Sequence, residues 1–158
     1  ERAALLRNHG MSRTYEHTAF GLNFRLPALA AAVGVAQMDR LDSFIAHRGE
    51  VMAAYRAGLG QALTFQDVPA GVTATSWGMA MVRAGSHQDR DSYVERLAAA
   101  GVETRINWKP VHQQPYHAAL VEGHFPVADQ IFDTSFTLPL TNGMTLDDAA
   151  YVVDTLAT

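Results

Sequence analysis

The sequence predicts an α+β fold in which helices pack on a small, mostly antiparallel sheet. Three observations predict it. One apolar stripe of helical spacing runs from Leu29 to Leu59 with no proline inside it. Short apolar runs bounded by Gly and Pro follow at 63–68, 74–83 and 102–106 and read as strands. Amphipathic stretches at 89–100 and 145–156 alternate with those runs and read as helices.

Taken in order, helix formers over Glu1–Asn8 read as the end of a helix, and His9-Gly10 as its stop. Residues 11–22 read as an exposed loop. Pro27 suits a first helical turn, where its missing N–H costs nothing. Leu29, Val33, Leu41, Phe44, Ile45, Met52, Tyr55 and Leu59 then form one stripe, with Gly34 and Gly49 as points of kinking or of close helix contact. A continuous helix of that span would be about 50 Å long. A compact domain of this size is only about 40 Å wide, so the helix reads as a connector to a second domain or another subunit. Tyr93, Val94 and Leu97 face one side of the next helix, stopped by Gly101. Asn107–Phe125, with two prolines and three histidines, is a long irregular connection of the kind often used for function. A short helix at 127–132, a strand at Thr137-Leu138 and a terminal helix capped by Thr145, with Asp147 and Asp148 in its first turn, complete the chain.

Composition excludes several classes. The 158 residues are 48% apolar and 18% charged, with a net charge of −4 and no Lys/Arg run, which argues against a nucleic-acid partner. There is no cysteine, so disulfides, thiolate metal sites and cysteine nucleophiles are absent, and a reducing, cytoplasmic setting is the default. The longest apolar stretch, Leu26–Ala36, is far short of the roughly 20 residues that cross a bilayer, so no membrane partner is expected. No phosphate-binding P-loop, complete Gly-x-Gly-x-x-Gly, His-Glu-x-x-His or Gly-x-Ser-x-Gly is present. His112, His117 and His124 fit no helix-face spacing for a metal, and solvated loop histidines are the plainer reading; no metal site is expected.

Two clusters carry chemistry. Gly21, Asn23 and Arg25 stand directly before a helix start, where amide N–H groups and the dipole favour anions and an arginine fork can hold a phosphate or carboxylate. The alternative is that Asn23 caps the helix and Arg25 makes a surface ion pair. Trp108, Lys109 and His112 place an aromatic, a cation and an imidazole at a strand end, where they suit a ligand loop or, equally, packing and solvation around a Pro110 turn. Lys109 is the only lysine, the other eleven basic residues being Arg.

In order, Leu6-Arg-Asn-His-Gly-Met-Ser-Arg13, Gly21-Leu-Asn-Phe-Arg-Leu26, Ala30-Ala-Ala-Val-Gly-Val-Ala-Gln37, Arg48 and Tyr55 resemble the C-terminal part of the DegT/DnrJ/EryC1/StrS sugar aminotransferases. Trp77, Gly101-Val-Glu-Thr104, Pro110-Val-His112, Pro115-Tyr116, Phe125-Pro126 and Leu138-Pro-Leu140 continue that order. The resemblance implies a pyridoxal 5'-phosphate enzyme of aspartate-aminotransferase fold (fold type I). It implies a homodimer with a shared active site that moves an amino group, usually from glutamate, to a keto group of a nucleotide-linked sugar. On that reading residues 1–26 end the large domain and form a cofactor edge, 27–60 are the inter-domain helix, and 61–158 are the small C-terminal domain. The lysine that carries the cofactor, the acid that pairs its ring nitrogen and the aromatic that stacks on it fall upstream of this chain, so no catalytic residue is expected here. Asn23 and Arg25 are the implied cofactor-phosphate contacts, and Tyr15, Trp108, Lys109 and His112 the implied substrate contacts. Trp108-Lys109 departs from the tyrosine and apolar residues usual there. A dehydratase of the same family, and a non-catalytic stand-alone small domain, are the alternative functions.

Overall fold

The computed structural model describes residues 1–118 and 120–157; Ala119, in the expected irregular connection, and Thr158, at the end of the expected small domain, lie outside the described residues. The chain divides into two units, 1–42 and 43–158.

The first unit contains α1 (Arg2–Arg7), β1 (Met11–Arg13), β2 (Glu16–His17) and α2 (Ala28–Met38). The expected loop at 11–22 is in part an antiparallel hairpin, Met11 opposite His17 and Arg13 opposite Glu16. Its position is set by backbone. Leu22 N donates to Leu6 O at 3.0 Å, His9 N to Leu22 O at 3.0 Å and Phe24 N to Arg7 O at 2.9 Å, so 22–24 runs beside the end of α1. Glycines allow the approach: a Cβ on Gly21 would lie 2.1 Å from Gly10 N, and Gly10 itself has φ +68°. Ala-rich α2 has high helix propensity, and its first turn closes through Ala31 N to Pro27 O at 2.9 Å.

The expected single helix from Pro27 to Leu59 is two helices. Arg40 N donates to Gln37 O at 3.1 Å, three residues back, which tightens and ends α2, and α3 (Leu41–Leu59) starts afresh. The break falls at the polar pair Asp39-Arg40 and at neither Gly34 nor Gly49. Only the later part of the stripe is core: Val51, Met52, Tyr55 and Leu59 are buried, whereas Leu29, Val33 and Leu41 are exposed.

The second unit holds most of α3, then β3 (Thr64–Phe65), β4 (Ala80–Arg83), α4 (His87–Ala99), a 3-10 turn (Val111–Gln113), α5 (Pro115–Ala118), α6 (Pro126–Thr134), β5 (Ser135–Leu138) and α7 (Leu146–Ala157). The sheet order is β3-β4-β5, antiparallel throughout, with Val82 opposite Phe136 and Ala80 opposite Leu138. Those four side chains alternate onto one buried face. Over them pack Tyr55, Leu59, Leu97, Val152 and Leu156, with Tyr93 stacked on Phe136 at 6.2 Å.

The strands are shorter than their apolar runs. Trp77 at φ +47° cannot continue a strand, so β4 begins only at Ala80. Arg56 Nη2 takes the Gln66 carbonyl at 2.6 Å, beside the short β3. The run at 102–106 is reduced to one bridge, Arg105 to Thr137. Helix starts follow their caps: Ser86 Oγ accepts from Asp89 N at 3.1 Å, which starts α4 two residues before the expected Asp89. Thr145 and Asp148 cap α7 reciprocally, Asp148 N to Thr145 Oγ1 at 3.1 Å and Thr145 N to Asp148 Oδ2 at 2.8 Å. The connection at 107–125 holds the 3-10 turn and α5, so it is more regular than expected.

Candidate functional site

In the first unit, Arg25 is fixed from two directions. Its Nε donates to Asn8 Oδ1 at 2.6 Å, and its backbone N–H donates to Asn23 Oδ1 at 3.4 Å. This leaves the terminal guanidinium nitrogens and the Asn23 amide NH2 as donors, a set suited to an anion. The alternative in which Asn23 caps the helix and Arg25 forms a surface ion pair does not hold. No side chain caps α2, and the partner of Arg25 is the neutral amide of Asn8. Arg25, Arg2 and Arg7 line one cleft of about 950 Å³ together with Asn8, Ser12 and Glu1. Three guanidinium groups against one carboxylate make it cationic. Tyr15 stands in the β1–β2 turn at φ +62°, 88% exposed, with its N–H on Met11 Sδ at 3.2 Å.

The other predicted residues belong to the second unit. Trp108 is 70% exposed and lines a cleft of about 510 Å³ with Arg56, Trp77, Met79 and Met81. The peptide before it, Asn107–Trp108, is cis. Lys109 is exposed, and its carbonyl accepts from Gln114 Nε2 at 3.1 Å. His112 is not a solvated loop histidine. Its Nε2 lies 2.6 Å from Asp129 Oδ1 on α6, Gln113 Nε2 donates to the same oxygen at 2.5 Å, and the ring lies against Phe125 at 4.7 Å. These two hydrogen bonds, His112 first, hold the Asp129 carboxyl below its ordinary pKa. An ionised Asp129 carboxylate accepts from Nε2, which leaves Nδ1 facing away from this contact. His117 packs edge-on against Tyr116 at 5.0 Å. Among the described residues, no group of three His, Asp or Glu is placed to hold a metal ion.

Sequence reasoning missed Asn8 as the holder of Arg25, and Asp129 and Gln113 as the holders of His112. Asn8 lies in the Leu6–Arg13 block, and Asp129 shortly after Phe125-Pro126, so the signal was adjacency to a motif rather than chemistry. Arg48, Tyr55 and Trp77 are tied into the fold by hydrogen bonds. Arg48 Nε donates to Asn142 Oδ1 at 2.9 Å and Nη1 to Trp77 O at 3.4 Å. Tyr55 OH donates to Pro139 O at 2.9 Å, and burial first, then the charge of Asp148, pushes that phenol well above its ordinary pKa. Together these bonds tie the 139–144 turn to α3.

The donor set of Asn23 and Arg25 fits the phosphate end of pyridoxal phosphate. For the aldehyde end the 1–42 unit offers no lysine. No helix is long and apolar enough to cross a membrane among the described residues.

Comparison with known proteins matches residues 1–157 to the DegT/DnrJ/EryC1/StrS aminotransferase family. The chain is 33% identical over 167 residues to the erythromycin biosynthesis sensory transduction protein EryC1 of Saccharopolyspora erythraea, covering 99% of this chain and 43% of that protein. It is 32% identical over 159 residues to the GDP-perosamine synthase of Caulobacter vibrioides, covering 96% of this chain and 43% of that protein. The crystal structure of DesV from S. venezuelae superposes with a TM-score of 0.88 at 28% identity, covering 98% of this chain and 42% of that one. The chain therefore spans less than half the length of the curated relatives it matches. With the match running over all but the last residue and the mixed fold superposing on solved aminotransferases, the chain belongs to the DegT/DnrJ/EryC1/StrS aminotransferase family.

Proposed function

We propose that the chain is the C-terminal portion of a cytoplasmic, pyridoxal-phosphate-dependent aminotransferase that transfers an amino group from glutamate to a keto group of a nucleotide-linked sugar. It works as a homodimer with a shared active site. The observation that carries the reading is the Asn23–Arg25 donor pair, fixed by Asn8 in an arginine-lined cleft, in a chain of this family. Relatives named GDP-perosamine synthase and dTDP-3-amino-3,6-dideoxy-alpha-D-galactopyranose transaminase support the substrate class.

When bound, the cofactor supplies the electron sink for the exchange of amino and keto groups, carried by a lysine outside this chain. Asn23 donates an amide N–H to a phosphate oxygen of the cofactor in the partner subunit. Arg25 neutralises the phosphate charge, and because Asn8 already holds Nε, little side-chain freedom is lost on binding. Trp108 offers an indole face to a sugar or base ring. Lys109 places a compact cation for the nucleotide phosphates. His112, held by Asp129 through Nε2, offers Nδ1 to a substrate hydroxyl, and Tyr15 offers a phenol O–H. None of these side chains takes the proton-transfer role, so this portion alone does not turn over substrate.

The test is reduction of the full-length protein with borohydride after loading with pyridoxal phosphate, followed by peptide mass mapping. The expected result is a cofactor adduct on a lysine preceding Glu1, together with glutamate-dependent amination of a nucleotide-linked keto sugar. An adduct on Lys109, or none on any lysine, would overturn the reading.

A further inference from the structure

Alternation along β4 puts Ala80 and Val82 on the buried face of the sheet, so Met81, and Met79 just ahead of the strand, fall on the other. These two methionines line the cleft of about 510 Å³ that Trp108 shares with Trp77 and Arg56. Its cation is already engaged. The Arg56 guanidinium carbon lies 5.7 Å from the Trp77 ring centroid and 5.3 Å from that of Phe65, and Nη2 donates to Gln66 O at 2.6 Å. Two rings and a hydrogen bond therefore hold the arginine, and the arginine holds Trp77 as a fixed wall. Trp108 differs, since its indole is 70% exposed. An exposed indole beside a second indole and two thioethers is a stacking surface that water does not satisfy. Gly78 leaves the space open: a Cβ there meets nothing within 4 Å. Gly78, Met79 and Trp108 also line an adjoining cleft of about 290 Å³, to which Arg105 contributes, and exposed Lys109 follows Trp108 in the chain.

We infer that the larger cleft seats the base of the nucleotide-linked sugar, stacked on Trp108, and that the diphosphate leads from it toward Arg105 and Lys109. The inference rests on reading the protein as a nucleotide-sugar aminotransferase, and it deepens that reading: Trp108 serves the base and not the sugar, Trp77 is the opposing wall, and Gly78 keeps the space free. The lining decides between the parts of such a substrate. A phosphate would meet a cation already committed to two rings and a carbonyl, and the carboxylate of Asp67, which lines the same cleft. A sugar would bury hydroxyls on both edges against indoles and thioethers that leave them unpaired. A base brings a flat π face that an aromatic side chain takes whatever the base, and its polar edge reaches the rim.

The experiment is calorimetric titration of the full-length protein, kept in saturating pyridoxal phosphate, with GDP, dTDP, inorganic pyrophosphate and glucose 1-phosphate. The better of the two nucleoside diphosphates should bind about 10–100-fold more tightly than pyrophosphate, the usual worth of a base stacked on an aromatic ring. Trp108→Ala removes the stacking face, and Gly78→Leu fills the cleft without touching the indole. Each should bring that advantage down to about twofold or less while leaving pyrophosphate affinity within about twofold of wild type, and Trp108→Phe should keep most of the advantage. A wild-type protein that binds pyrophosphate as tightly as either nucleotide would overturn the inference. So would an advantage that survives Trp108→Ala and Gly78→Leu, or losses in which pyrophosphate and nucleotide fall together. Weakened glucose 1-phosphate binding with nucleotide binding intact would assign the cleft to the sugar and also overturn it. These titrations read the base and not the cofactor bond, so a missing lysine adduct would sink the aminotransferase reading and leave this result standing, whereas an adduct with no base advantage would do the reverse.

Discussion

Helices α2 and α3 are successive, and both are rich in apolar residues, yet one buries nothing and the other anchors a core. α3 places Val51, Met52, Tyr55 and Leu59 out of water within residues 43–158, against strands and helices of the same unit. α2 places none of its residues out of water. Helix formation is a local matter of propensity and first-turn closure, whereas burial needs a partner surface, and only the second unit carries its own.

That contrast breaks most sharply at an aromatic ring. In the 158-residue chain, Phe136→Ala should cost about 3–5 kcal/mol of unfolding free energy, since Phe136 is fully buried on β5. Phe24→Ala should stay within about 0.5 kcal/mol of wild type. Denaturant titrations of both variants check the pair, and similar losses would contradict the division into two units. The next effect has opposite signs in the two helices. A Cβ on Gly58 would meet Val153 Cγ1 at 2.3 Å, where α3 and α7 touch, so Gly58→Ala should destabilise by about 1–3 kcal/mol. A Cβ on Gly34 meets nothing within 4 Å, so Gly34→Ala should stabilise the same chain by up to about 1 kcal/mol through helix propensity. Thr145→Ala removes the cap of α7 and should cost about 1 kcal/mol, read as a lowered denaturation midpoint with an unchanged slope.

The smallest effect is electrostatic. The folded-state pKa of Asp129 is depressed, by the His112 bond and then by the Gln113 bond, so its ionised form contributes stability above the unfolded-state value near 4. That contribution is lost as pH falls through the folded value. Melting temperatures of wild type and Asp129→Asn should therefore differ at pH 6 and converge toward pH 3. Asp129 is partly exposed, so added salt should shrink the difference. A gap that widens on acidification would reverse the sign and refute the clasp.

Much of this architecture was legible locally. Thr145 with Asp148, Pro27 ahead of an Ala-rich run, and Gly101 after α4 are signals whose physics is complete within a few residues. The break at Asp39-Arg40 was not, because a continuous stripe gives no reason for a helix to stop and restart. The short strands were not legible either, since Arg56 reaching the Gln66 carbonyl and Trp77 at positive φ are choices made by packing. The site divides the same way. Asn23 and Arg25 were readable as anion donors at a helix start, but Asn8, seventeen residues before Arg25, and Asp129, seventeen after His112, meet them only through the fold.

The most direct test of the central claim, that Arg25 and Asn23 anchor a phosphate, is the affinity of the full-length protein for pyridoxal phosphate beside that for pyridoxal. Arg25→Ala should weaken pyridoxal phosphate binding about 10–100-fold, the loss of a charge-assisted contact, and leave pyridoxal binding within about twofold of wild type. Equal losses for both ligands, or no loss for either, would contradict it.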